Sequence, residues 1–400
     1  MTAGAPVSKV GTLERRYLNG TFAELCRIES PSGRERACAE RVVAELRALG
    51  VSVAEDDAGA LTGSDCGNLL ARMPGREAPP VGPGTDRERR SLLLCAHLDT
   101  VPLAAEVEPV LVEGFWENAN EGILGADNKA AVAVMLALAR HVHGEGAPVD
   151  VELLFTVGEE AALAGARAFD ASRLRSDFGY VFDHASPIGE VIMDSPSHFR
   201  VEASFHGAAA HAGIRPQDGR SAILAAARAI ASMPHGRLDE ETTVNVGTIS
   251  GGTAMNVVAE RCSVLAEVRG LRDERAETVV AEVVDRIHRA ANGADCDCDV
   301  DVGVERTFAG YRLPASAPAV RVAEAALRAC GHEPVRIASG GGSDANALIA
   351  QGFQTVNLAN GTERNHEPGE RVSVAALEGM LDVALALLDQ AAALSADAAR

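Results

Sequence analysis

Three short apolar runs, each followed closely by side chains that can bind a metal ion, constrain this chain more than any other feature. The runs and the polar residues after them are 92–96 with His97, 151–157 with Glu159 and Glu160, and 179–182 with Asp183. Apolar runs of this length are typical of buried strands. In open α/β sheets, ligands bind at the carboxyl ends of such strands. The sequence therefore predicts an α/β sheet with histidine and carboxylate side chains at one edge.

His97 and Asp99 lie two positions apart at the end of the first run. Alternate residues of an extended chain point to the same side, so Asp99 can reach the imidazole of His97. Histidines that bind metals commonly need such a partner to orient the ring. An ordinary hydrogen-bonded histidine at a strand end is the alternative interpretation.

Two further ligand candidates come from other parts of the chain. Asp127 stands at the start of a predicted helix, where a helix N-cap is the alternative role. His366 lies in a loop after the last predicted strand. The adjacent carboxylates of Glu159 and Glu160 repel each other unless a cation or a proton offsets them, although they also suit the first turn of a helix.

Together these residues predict a metal centre. Nitrogen and carboxylate ligands without a partnering cysteine suit Zn²⁺, with Co²⁺ or Mn²⁺ as substitutes. Two histidines and three carboxylates fit two ions better than one, and Asp127 is the candidate bridge between them. Glu159, which stands beside the ligand Glu160, is then the candidate general base for an attacking water.

The length of 400 residues exceeds what one hydrophobic core usually serves. From about residue 195 the pattern changes to β-α-β-β-α-β, the order of a ferredoxin-like unit. We therefore predict a catalytic domain made of residues 1–194 and 306–400, with an inserted domain at 195–305. The segment between Pro102 and Gly122 is predicted to be irregular.

Composition narrows the class of protein. The net charge of −20 argues against binding to nucleic acid or to an anionic membrane. The sequence has no apolar run long enough to span a membrane and no signal-like segment at its start. Eight scattered cysteines favour reduced thiols over a disulfide framework. A cytoplasmic protein is expected.

The combined motifs resemble the co-catalytic zinc exopeptidases, a family that includes peptidase T, carboxypeptidase G2, aminoacylase and succinyl-diaminopimelate desuccinylase. The motifs that carry the resemblance are His97-Leu98-Asp99, residues 125–129, Gly158-Glu159-Glu160, Asp183 and Asn365-His366-Glu367. The resemblance implies a zinc-exopeptidase-type α/β domain, a mixed sheet flanked by helices, with an inserted α+β lid and dimerisation domain. Asp183 and residues 125–129 are most similar to peptidase T.

The same resemblance implies roles for individual residues. His97 and Asp183 would hold one zinc, Glu160 and His366 the other, with Asp127 between them. Asp99 would orient His97, and Glu159 would be the base.

Residues of the inserted domain and of a glycine loop complete the implied site. His211, in Ala210-His211-Ala212-Gly213, would come from the partner subunit of a homodimer and stabilise the oxyanion. Without the resemblance, the local sequence predicts only a turn residue at His211. Asn245 and Arg269 match positions that contact substrate, and a surface salt bridge is the alternative for Arg269. Ser343, at the end of the glycine loop 339–343, would face the substrate.

The leading expectation is a peptidase T-like aminopeptidase that hydrolyses short peptides. An amidohydrolase that removes the acyl group of an N-acyl amino acid would use the same centre and differ in its substrate pocket. A catalytically silent metal-binding dimer is a third interpretation, against which the intact Asp99, Glu159 and ligand set argue.

Overall fold

The computed structural model describes residues 10–76, 90–293 and 296–397. The chain divides into two compact units. The first comprises Met1–Met193, Arg312–Ser339 and Ser343–Arg400, and the second comprises Asp194–Tyr311 with Gly340–Gly342.

The described residues form ten α-helices and eighteen strands. The helices are α1 Thr12–Cys26, α2 Arg36–Ala48, α3 Ala58–Thr62, α4 Ala126–Glu145, α5 Ala164–Ala168, α6 Ala222–Ser232, α7 Asp273–Ala291, α8 Pro318–Ala329, α9 Asp344–Ala350 and α10 Val374–Asp397. The strands are β1 Val53–Glu55, β2 Leu69–Met73, β3 Ser91–His97, β4 Pro109–Val112, β5 Phe115–Asn118, β6 Asp150–Thr156, β7 Phe178–His184, β8 Glu190–Ser195, β9 Ser197–His206, β10 Gly236–Arg237, β11 Thr242–Gly251, β12 Arg261–Gly270, β13 Asp299–Phe308, β14 Tyr311–Arg312, β15 Val335–Ala338, β16 Thr355–Ala359, β17 Thr362–Glu363 and β18 Arg371–Ser373.

A nine-stranded mixed sheet forms the centre of the first unit, with the order β1-β2-β6-β3-β7-β16-β8-β14 and β15 paired to β8. The neighbours β6, β3, β7 and β16 run parallel to one another. Every residue of β3 is buried, as expected of a strand covered on both faces. This parallel arrangement brings the carboxyl ends of β3, β6 and β7, and the polar residues that follow or end them, to one edge of the sheet.

Helix α4 is largely buried. It is rich in alanine, valine and leucine, and it packs against α1, α10 and β3. Asp127 and Asn128, in its first turn, do not have helical backbone angles. The side chain of Asp127 is therefore presented differently from that of a residue in a regular first turn.

The segment predicted to be irregular contains a hairpin. Strands β4 and β5 pair antiparallel and join a four-stranded sheet with the order β17-β18-β5-β4. The two residues between them, Glu113 and Gly114, both have positive φ, as a two-residue type I′ turn requires. The prediction missed this hairpin because its strands are short and only partly buried.

The second unit is a five-stranded antiparallel sheet, ordered β10-β11-β12-β9-β13, with the helices α6 and α7. Its core is formed by the alanines of α6, the valines and isoleucine of α7, and alternate residues of the strands. The order β9-α6-β11-β12-α7-β13 is ferredoxin-like, with the short strand β10 added at the edge. The predicted fold class, a mixed α/β domain with an inserted α+β unit, is confirmed.

Candidate metal centre

His97 ends β3 and is 1% exposed. Its Nε2 atom lies 3.2 Å from Oδ1 of Asp127 and 3.7 Å from Oδ1 of Asp183. Its Nδ1 atom lies 3.0 Å from the carbonyl oxygen of Asp99 and 3.3 Å from Oδ1 of the same residue. Because both partners of Nδ1 are acceptors, Nδ1 carries the proton in the neutral ring and Nε2 is left to bind a cation.

Asp127 lies between two histidines. Its Oδ1 faces His97, and its Oδ2 lies 3.3 Å from Nε2 of His366. Asn365 donates a hydrogen bond of 2.8 Å to the same Oδ2. Gly125, and not Asp127, is the N-cap residue of α4. One carboxylate thus presents an oxygen to each of two imidazoles.

Glu160 approaches His366 from the loop after β6. The distance from its Oε1 to Nε2 of His366 is 2.7 Å. The backbone N–H groups of Glu159 and Glu160 donate to Oδ1 and Oδ2 of Asp99, at 2.9 and 3.1 Å. The next helix begins only at Ala164, so these two glutamates do not open a helix.

These side chains form three overlapping groups of potential ligand atoms, each within 4.8 Å: His97, Asp127 and Asp183; His97, Glu159 and Glu160; and Asp127, Glu160 and His366. The first and the third group share Asp127. All five sequence-predicted ligands and the candidate base therefore meet in one cluster of the first unit, and the donor atoms are nitrogen and oxygen, which suit Zn²⁺, Co²⁺ or Mn²⁺.

Positive charge stabilises this cluster of buried carboxylates. Burial and the charge of Asp127 raise the pKa of Asp183 to about 7. Burial and Asp183 also raise the pKa of Glu159 well above its usual value. Hydrogen bonds to Asp127 and Glu160 raise the pKa of His366 to about 10. Without metal ions, the cluster therefore holds protons at these positions. Divalent ions would supply the same positive charge, so the residues fit a pair of metal ions.

Sequence reasoning missed the buried carboxylate of Glu35, which supports this loop from the N-terminal part of the chain. Glu35 accepts hydrogen bonds from the backbone N–H of Gly158, at 3.0 Å, and from the hydroxyl of Ser64, at 2.6 Å. Burial raises the pKa of the Glu35 carboxyl. No local spacing indicates this contact, because the two segments are far apart in sequence.

Asp344 is a further buried carboxylate that was not among the predicted site residues. It is buried at the start of α9, and its Oδ2 accepts a hydrogen bond of 2.5 Å from the hydroxyl of Thr156, the last residue of β6. Burial raises the pKa of Asp344 to about 6. The preceding residue, Ser343, predicted to contact substrate, is also buried and is the N-cap residue of α9.

The other predicted substrate contacts belong to the second unit. His211 is exposed, and its Nδ1 accepts a hydrogen bond of 3.2 Å from the backbone N–H of Gly213. Asn245 is exposed on β11. Arg269 on β12 forms two hydrogen bonds of 3.1 Å, from Nε and Nη2, to the carboxylate of Glu267. The salt bridge that was the alternative for Arg269 is therefore present.

Comparisons with known proteins agree with this architecture. Residues 80–190 match the model of Peptidase family M28, and residues 197–295 match that of the Peptidase dimerisation domain. The uncharacterized protein YqjE of Bacillus subtilis is 34% identical over 380 residues, which are 95% of this chain and 99% of the relative.

Two solved structures are similar over nearly the whole chain. The aminopeptidase PepT of Bacillus cereus has 34% identity and a TM-score of 0.80, with 94% of this chain and 99% of that chain covered. A tripeptidase of Staphylococcus aureus has 31% identity and a TM-score of 0.85, with 95% and 99% covered.

The sheet, the clustered ligand side chains and the inserted unit together define a metal-dependent peptidase. With relatives above 30% identity along almost its full length, the chain belongs to the M20/M28 family of zinc exopeptidases, among the peptidase T-like members. The predicted family and the predicted hydrolytic activity are confirmed.

Adding a divalent metal ion to the metal-free protein at pH 7 should release at least about one proton per molecule. The pKa of His366 is about 10 without a cation, and the imidazole must be neutral to bind one. Since the folded-state pKa is raised, this release should disappear above about pH 10. Calorimetric titration with Zn²⁺ in buffers of different ionisation enthalpy measures the proton count.

The controls for this titration are two alanine variants. His366→Ala should release fewer protons than the wild type, and substitution of the exposed His235 to alanine should change nothing. Equal release from the wild type and His366→Ala would show that His366 is not the proton source.

Proposed function

We propose that the chain is a peptidase T-like aminopeptidase that hydrolyses short peptides at a pair of Zn²⁺ ions. In this proposal His97 and Asp183 bind one ion, Glu160 and His366 bind the other, and Asp127 bridges them. The observation that carries it is the position of Asp127, whose two oxygens lie 3.2 and 3.3 Å from the Nε2 atoms of His97 and His366.

Such a pair of ions, when bound, would lower the pKa of the attacking water and polarise the scissile carbonyl. Side chains of the protein carry out the proton transfer and hold the ligands in place. Glu159 is buried beside the ligands, and bound ions would keep its carboxylate ionised, so it takes a proton from the attacking water and passes it to the leaving amine. Asp99 holds the ring of His97 and the backbone of Glu159 in place.

We further propose that residues 195–305 act as the lid and dimerisation domain of a homodimer, and residues 1–194 with 306–400 as the catalytic domain. The match to the Peptidase dimerisation domain supports this. Large apolar side chains on the second unit are exposed and available to such an interface: Ile214, Ile223, Leu224, Ile249 and Met255.

In that dimer His211 stabilises the oxyanion of the partner subunit's reaction, and Asn245, Arg269 and Ser343 contact the substrate. A cytoplasmic location is part of the proposal and is supported by the eight cysteines, all of which are free thiols. No helix in the described part of the chain is long and apolar enough to cross a membrane.

The similarity to the PepT aminopeptidase and the tripeptidase supports a peptide substrate with a free amino terminus. The test is turnover of tripeptides, N-acetylated tripeptides and N-acyl amino acids by the Zn²⁺-, Co²⁺- or Mn²⁺-loaded protein. We expect cleavage of the free tripeptides and much slower cleavage of the acetylated ones. Turnover of N-acyl amino acids alone would assign the chain to the deacylases instead.

Substitution of Glu159 with glutamine should lower kcat by about 10²–10⁴-fold, because an amide cannot accept the proton of the attacking water. The metal content should stay at the wild-type value, since the ligands remain. Metal analysis and steady-state kinetics on the same preparation measure both quantities. The matched control is Glu363→Gln, which changes an exposed glutamate of β17. A wild-type kcat in Glu159→Gln would show that Glu159 is not the general base.

If His211 acts across a dimer, two inactive variants should restore activity when their subunits are mixed. His211→Ala should lose about 10²–10³-fold in kcat, the usual cost of removing one oxyanion donor. A mixed dimer of His211→Ala with Glu159→Gln contains one site with both residues intact. Unfolding and refolding the variants together should therefore recover activity, whereas refolding each alone should not. Absence of recovery in a verified mixed dimer would place His211 in its own subunit's site or outside catalysis.

A further inference from the structure

Glu370 is a buried carboxylate that the mechanism above does not use. It lies four residues after His366, on the same loop, and is 1% exposed. Its Oε2 accepts hydrogen bonds from the backbone N–H groups of Leu124 and Gly125, at 2.9 and 2.7 Å. Its Oε1 accepts a third, from the backbone N–H of Asp127, at 2.9 Å. Both oxygens of one side chain are thus used to hold the chain around Asp127.

The start of α4 explains why such a partner is needed. The first N–H groups of a helix have no acceptor within the helix, and burial makes an unpaired one costly. A side chain within the first turn commonly supplies the acceptor, but α4 has no side-chain cap. The carboxylate of Asp127 instead faces the two histidines. Glu370 takes over the capping role from outside the helix and leaves the side chain of Asp127 free.

One loop therefore holds Asp127 at two points. Glu370 binds its backbone N–H, while His366 and Asn365 lie 3.3 and 2.8 Å from its Oδ2 atom. A displaced backbone at Asp127 would move both carboxylate oxygens together, because they share one side chain. The backbone contact consequently controls whether the same carboxylate can reach two cations.

We propose that Glu370 is a positioning residue that fixes Asp127 for simultaneous contact with both metal ions. This inference rests on the proposed metal centre and adds a residue outside the ligand set. Glu370→Gln puts an amide NH₂ in place of one oxygen, so at least one of the three N–H groups loses its acceptor. The backbone of Asp127 is then less well held while all ligands remain.

The experiment compares metal binding by Glu370→Gln with that by a matched variant, Glu152→Gln. Glu152 is also buried and accepts backbone N–H groups, those of Arg175 and Ser176, at 2.8 Å each, but it lies on β6 away from the ligands. Competition with a chromogenic chelator gives the affinity for Zn²⁺. Thermal unfolding of the metal-free and metal-loaded forms gives the rise in Tm that metal causes.

We expect Glu370→Gln to bind Zn²⁺ about 10–100-fold more weakly than the wild type and to show a smaller metal-induced rise in Tm. Glu152→Gln should lower Tm in both forms and keep the wild-type metal affinity. Wild-type metal affinity in a folded Glu370→Gln would overturn the proposal and leave Glu370 a purely structural role.

If Glu370→Gln does not fold, Glu370→Asp decides the question. It keeps the charge but is one methylene shorter and cannot reach all three N–H groups at the observed distances. Weaker metal binding by this variant supports the proposal, and wild-type binding overturns it. A wild-type protein that binds no metal would instead refute the metal centre itself, a result that does not depend on any variant.

Discussion

The repulsion among buried carboxylates at the edge of the central sheet is the constraint on which the rest of the site depends. Asp127, Glu159, Glu160 and Asp183 converge there with the imidazoles of His97 and His366. Unpaired buried charges are strongly destabilising, so the cluster must bind protons or cations. The raised pKa values of Asp183 and His366 show how the cluster binds protons when no metal ion is bound. Metal ions are the alternative that leaves the carboxylates ionised and the imidazoles neutral.

A second layer of buried carboxylates gives the ligands their positions. Asp99 binds the backbone of Glu159 and Glu160, Glu35 binds that of Gly158, and Glu370 binds that of residues 124, 125 and 127. In each case a carboxylate oxygen accepts from a backbone N–H, and an ionised carboxylate makes a stronger hydrogen bond of this kind than a neutral acceptor. The ligand side chains are carried by strand ends, loops and the first turn of α4, and these bonds hold the backbone of those segments.

The ligand residues and the carboxylates that position them differ in how well the sequence predicts them. His97 and Asp183 were predictable because the apolar runs before them specify parallel strands, and the ends of such strands share an edge. Glu35 and Glu370 were not, since their partners lie 123 and up to 246 positions away and the contacts are to backbone atoms, whose donors are the same for every residue type. The hairpin of β4 and β5 was missed for a different reason, because its half-exposed residues carry little apolar periodicity. Sequence patterns indicate burial, whereas the contacts of Glu35 and Glu370 depend on long-range pairing.

Arg269 shows how this limit affects substrate recognition. The sequence allowed either a substrate contact or a salt bridge, and the structure contains the bridge to Glu267, which His198 also contacts at 2.9 Å. These contacts lower the pKa of Glu267 to about 2, so it remains charged near neutral pH. Its charge offsets that of Arg269, while the guanidinium still has N–H donors beyond the two that Glu267 receives. In the proposed function, an arginine held in this way would orient a peptide group or carboxylate by geometry more than by net attraction. In a chain with a net charge of −20, the field around the protein favours the cationic amino terminus of a peptide over an acylated, anionic substrate, which agrees with the proposed aminopeptidase activity.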